Sequence, residues 1–69
     1  MVLDSKQRVA KYICQNEKTF FNQKNIEIAE ILNMTPETLS RILKNFKDNN
    51  FINIKEKILD KDKLSNIYL

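Results

Sequence analysis

The chain has 69 residues and no glycine. That absence constrains every sharp reversal of the backbone. Left-handed positions, where a helix ends or a tight turn begins, ordinarily go to glycine because it has no Cβ to clash. Without glycine the role passes to asparagine, whose short polar side chain tolerates the conformation best. Asn33 stands where two helical patterns meet, and Asn50 stands where the second of these ends. Both are expected to take positive φ in place of a glycine. The same absence removes any Gly-rich loop of the kind that cradles nucleotide phosphates.

A chain this short forms one small domain and buries only about 60% of its unfolded surface. Its 42% hydrophobic and 30% charged residues fit an ordinary soluble domain. No apolar run approaches the roughly 18 residues of a membrane span. The opening Met1-Val2-Leu3 runs directly into Asp4-Ser5-Lys6-Gln7, without a signal-peptide pattern. A cytoplasmic location is expected, with no membrane partner. There is no histidine and a single cysteine, Cys14. A Cys/His zinc site, an intrachain disulfide and nucleophile–histidine catalysis are excluded. Neither an enzyme nor a cofactor or metal site is expected. Cys14 reads as a small apolar residue beside a helical stripe. The abundance of Lys, Ile and Asn is consistent with an AT-rich genome. The sequence pI of about 9.1 and net charge of +3 suggest an anionic partner. Lysine carries most of that charge, and Arg8 and Arg41 are the only arginines.

Local signals set the order of elements. Asp4 with Gln7 forms a capping-box pattern, and Val9, Ala10, Ile13 and Tyr12 follow at helical spacing. The segment 17–23 reads as a connector in which Thr19-Phe20-Phe21 forms a short strand or plugs the core. A second helix is expected over 25–32, with Ile28, Ile31 and Leu32 on one face and Ala29 at its edge. Asn33-Met34-Thr35 then gives the short joint of a helix-turn-helix. Thr35 is a good N-cap and Pro36 suits the first helical position. Leu39, Ile42, Leu43 and Phe46 form an i, i+3, i+4, i+7 core stripe. At about 100° per residue, Glu37, Ser40, Arg41 and Lys44 fall on the opposite face. Residues 51–54 and 58–59 flank a polar tip as a short hairpin. A last helical turn or two follows Asp60, with Leu64 and Ile67 packing back. The predicted fold is mainly α with a small β-hairpin: a winged helix-turn-helix.

From Ile28-Ala29 through Ile31-Leu32-Asn33-Met34-Thr35-Pro36-Glu37-Thr38-Leu39-Ser40-Arg41 to Phe46, the chain resembles the C-terminal DNA-binding domain of Crp/Fnr transcription regulators. Arg8-Val9-Ala10 and Asp60 to Leu64 also fit that layout. The resemblance implies a bacterial transcription factor that binds double-stranded DNA, with the helix at about 36–49 in the major groove. It implies base reading by the residues matching Glu37, Ser40 and Arg41. Ser40 is similar to the Fnr-like branch, which favours TTGAT-type half-sites. Asn33 and Glu56 stand where the family has glycine, as adjustments of the turn and of the wing tip, and the wing is short. The resemblance also implies a dimer-forming and effector-binding region N-terminal to this module and absent from residues 1–69. Met1 would fall at the hinge, and a homodimer is expected only in a full-length protein. The isolated domain is expected to be a monomer that binds DNA weakly.

The chemistry of these side chains supports the roles independently. Arginine can donate two hydrogen bonds to guanine O6 and N7, and glutamate can accept from cytosine N4. For Glu37 three readings stand together. It complements the helix dipole for about 0.3–1 kcal/mol, pairs with Arg41 at i+4 for about 0.3–0.5 kcal/mol, or reads a base while repelling phosphate. Lys24, Thr35, Thr38, Lys44, Lys55 and Lys57 are candidate phosphate contacts, which position a protein without reading sequence. Two other readings remain: a winged-helix protein-interaction module without specific DNA binding, and a small regulator complete in itself.

Overall fold

In a computed structural model that describes residues 3–69, five helices and one hairpin follow in the order α1 (Ser5–Gln15), α2 (Glu17–Phe20), α3 (Asn25–Ile31), α4 (Pro36–Asp48), β1 (Ile52–Asn53), β2 (Ile58–Leu59) and α5 (Lys61–Tyr68). The expected hinge position at Met1 lies outside the described residues. This is a winged helix-turn-helix. α3 and α4 are its two central helices, and the antiparallel β1–β2 hairpin is the wing, in the register Ile52↔Leu59 and Asn53↔Ile58.

Side-chain caps start three of the helices. The Asp4 carboxylate accepts from the Gln7 amide at 2.8 Å, while the Gln7 side chain accepts from the Asp4 amide at 2.9 Å, a closed capping box. Thr35 Oγ1 accepts from the Thr38 amide at 3.2 Å, with Pro36 in the first helical position. Asp60 accepts from the Lys63 amide at 3.0 Å and opens α5. α5 runs for eight residues, about the two turns expected.

Asparagine ends both helices of the motif. Asn33 has φ 55° and Asn50 has φ 61°. After α3, Met34 N–H donates to Ala29 and Asn33 N–H to Glu30, at 2.9 and 3.1 Å. After α4, Phe51 N–H donates to Phe46 and Asn50 N–H to Lys47, at 2.8 and 3.1 Å. Each pair is a Schellman motif, which satisfies carbonyls that a helix end leaves open. Its usual apolar contact is present after α4, where the Phe46 and Phe51 rings stack with centroids 5.7 Å apart.

The core contains Val9, Ala10 and Ile13 of α1, Phe20, Ile28 and Ala29, Leu39, Leu43 and Phe46 of α4, Ile52 and Leu64. Cys14, Tyr12, Ile42 and Ile67 are partly buried against it. α1 packs most extensively on α5, and α3 on α4. Two expectations need correction, on Ile31 and Ile54, and one alternative is decided. Of the two readings of Thr19-Phe20-Phe21 the core plug holds and the strand does not: residues 17–20 make one helical turn that drives Phe20 into the core. Among the described residues the strands are the two short ones of the wing, which pair with each other. Ile31 is 55% exposed rather than a core residue; Ile28 and the small Ala29 form the inward face of α3. The strands have two residues each, so Ile54 belongs to the wing tip. At that tip Lys57 takes the left-handed conformation at φ 57°, and the Glu56 amide donates to Asn53 Oδ1 at 3.0 Å.

Candidate nucleic-acid interface

α4, with 13 residues, is the longer helix of the motif. Leu39, Leu43 and Phe46 are buried and Ile42 half-buried, which fixes the helix by one face. Glu37, Ser40, Arg41 and Lys44 lie together on the other, all exposed. Glu37 occupies the first turn of α4, where a carboxylate complements the positive end of the helix dipole. It makes no ion pair with Arg41: among the described residues the ion pairs are Lys61–Glu17 at 3.1 Å and Lys63–Asp60 at 3.8 Å. The i+4 pairing considered for Glu37 is therefore absent, and the Arg41 guanidinium is unpaired among the described residues.

The candidate phosphate contacts divide among four places. Thr35 and Thr38 sit at the start of α4, their hydroxyl oxygens 2.8 Å apart. One hydroxyl must donate to the other, so the pair retains one O–H to offer outward. Lys24 is the N-cap residue of α3 and is exposed, with no side-chain capping bond of its own. Lys44 shares the α4 face already described. Lys55 and Lys57 are exposed at the wing tip, on a separate element.

Arg8, the other arginine, does not join this surface. It donates from α1 to the main-chain carbonyl of Leu32, at the end of α3. The Tyr12 hydroxyl donates to the Gln23 side-chain oxygen, just before α3. Sequence reasoning assigned neither bond. The one available signal was the scarcity of arginine, which lent weight to Arg41 and named no partner for Arg8.

The family model described as the Crp-like helix-turn-helix domain matches residues 7–67. The chain belongs to this family. As a Crp-like helix-turn-helix domain it is a DNA-binding module of transcription regulation, of a kind that is not enzymatic. No curated protein and no solved structure gives a significant match. No helix of the described residues is long and apolar enough to cross a membrane.

Proposed function

We propose that this Crp-like domain recognises DNA by sequence, with α4 lying in the major groove of one half-site. In this reading Arg41 donates to a guanine edge, Glu37 accepts from a cytosine amine and Ser40 contacts the base between them. Lys24, Thr35, Thr38, Lys44, Lys55 and Lys57 touch the flanking phosphates. A TTGAT-type half-site is the favoured target. In a full-length regulator two copies would read a palindrome whose half-sites lie about one helical turn, or ~34 Å, apart.

The observation that carries this reading is the common exposure of Glu37, Ser40 and Arg41 on one face of a helix whose other face is buried. Arginine tied into an ion pair would have to exchange that partner for a base. Arg41 has none among the described residues, so its fork is available without that exchange. Glu37 favours selectivity over affinity. It penalises the approach of phosphate and rewards a base-edge donor, so a wrong register is discouraged.

Fluorescence anisotropy on a TTGAT…ATCAA palindrome and on a scrambled duplex, over a salt series, tests the proposal. Preference for the palindrome that persists as salt weakens both complexes is the expected result. Equal affinity for the two duplexes sinks the half-site assignment, and selection from random sequence then decides whether any preferred site exists. The protein-docking alternative predicts no binding to either duplex at low salt.

A further inference from the structure

Helix α3 has seven residues, has no side-chain cap at its start and carries no basic residue in its last turn. What is missing locally comes from α1. Arg8 brings a cation to the C-terminal end of α3, where it complements the helix dipole, and donates to the Leu32 carbonyl. The Schellman bonds after α3 use the carbonyls of Ala29 and Glu30 and leave that of Leu32 to Arg8. Tyr12 holds the opposite end through Gln23, one residue before the N-cap Lys24. Arg8 and Tyr12 are four residues apart and so lie on one face of α1. Both are half-buried. α1 packs most closely on α5, and these two side chains tie it by hydrogen bonds to the ends of α3. α1 is itself anchored to α5, because Gln7 Nε2 donates to the Ile67 carbonyl at 3.1 Å.

We propose that Arg8 and Tyr12 are positioning residues for DNA recognition, a two-point clamp by which α1 holds both ends of α3 and thereby aims α4. The inference rests on the reading of α4 as the base-reading helix. The two contacts bracket α3, and the Arg8 contact adjoins the joint that sets the angle between the helices: Leu32 is followed directly by the left-handed Asn33, by Met34 and by the α4 cap Thr35. An error in that angle displaces Glu37, Ser40 and Arg41 together. Base readout needs hydrogen-bond geometry, whereas phosphate attraction tolerates displacement. Loss of the clamp therefore lowers discrimination between duplexes more than it lowers affinity for DNA in general.

The test compares the 69-residue chain with Arg8→Gln, Arg8→Lys and Tyr12→Phe. Tyr12→Phe keeps the ring and its packing, and Arg8→Lys keeps a cationic donor. Amide hydrogen exchange without DNA reads the clamp directly. Losing one ordinary hydrogen bond corresponds to about a fivefold change in a local opening equilibrium. Arg8→Gln is expected to accelerate exchange at residues 31–34 by about that factor, and Tyr12→Phe at residues 24–28. On DNA, either variant is expected to lower the palindrome-over-scrambled affinity ratio by about threefold or more, with the salt dependence unchanged, and Arg8→Lys to retain most of the ratio. Wild-type exchange rates at both ends of α3 in Arg8→Gln and Tyr12→Phe overturn the clamp. Faster exchange with an unaltered affinity ratio overturns the aiming role and leaves two bonds that only stabilise. A wild-type chain that prefers no duplex, even after random-sequence selection, sinks the base-reading proposal and the aiming role together. The exchange result then still decides the clamp.

Discussion

Glu37→Ala separates two roles of one carboxylate by their size and by the assay that detects them. The residue lies in the first turn of α4, is exposed and makes no ion pair with Arg41. Its removal therefore costs no pair energy in the free domain and leaves the Arg41 side chain as it was. What remains for stability is the dipole contribution of about 0.3–1 kcal/mol, smaller in salt. For a domain of this length that lowers the thermal midpoint by roughly 2–7 °C. On DNA the change works in two directions. The formal net charge rises from 12 − 9 = +3 to 12 − 8 = +4, so attraction to any duplex increases. A lost base contact reduces discrimination by about 1–3 kcal/mol, or roughly five- to 150-fold. The expected anisotropy result is a scrambled duplex bound as tightly as before or more tightly, and a palindrome advantage largely lost. Thermal melting of the same protein reads the dipole contribution separately. A variant that melts lower but retains its palindrome advantage refutes base reading by Glu37. Equal gains in affinity for both duplexes would reduce its role to general repulsion of phosphate.

Arg41→Ala is expected to weaken palindrome binding by about 1–3 kcal/mol and to relax preference at one base position; its exposure predicts a stability change within about 0.5 kcal/mol by denaturant melting. Unchanged DNA binding would favour the protein-docking use of the fold. Thr35→Ala removes the α4 cap and should cost about 0.5–2 kcal/mol of stability in urea unfolding. Asn50→Ala places a Cβ-bearing residue without a local polar side chain at φ 61° and should cost about 1 kcal/mol, whereas Asn50→Gly should be neutral or stabilising. Light scattering over a dilution series is expected to return the 8.2 kDa monomer throughout; a stable dimer at micromolar concentration would contradict this.

The candidate site was legible because it follows from helical periodicity. Once Leu39, Leu43 and Phe46 are inward, the geometry of a 3.6-residue turn leaves Glu37, Ser40, Arg41 and Lys44 outward. Periodicity could not state whether Glu37 holds Arg41, since the sequence spacing permits an ion pair that the side chains do not make. The division of the phosphate candidates among the N-cap of α3, the start and the polar face of α4, and the wing tip was likewise a matter of where those elements lie.

The sequence by itself determined the features whose physical cause spans a few residues. The Asp4–Gln7 box, the Thr35-Pro36 start, the Asp60 cap and the left-handed Asn33 and Asn50 all arise from contacts within one helical turn. Residue type and spacing specify such contacts nearly completely. Tertiary structure alone decided which of several apolar residues went inside. Ile31 is as hydrophobic as Ile28, yet the packing of α3 on α4 takes Ile28 and Ala29 and leaves Ile31 in water. It also turned Phe20 into the core on a helical turn, put the left-handed tip residue at Lys57, and joined Arg8 to Leu32 and Tyr12 to Gln23 across separations of 24 and 11 residues. Burial rewards apolar area without naming its neighbour, and a polar side chain takes the partner that the assembled fold brings within reach.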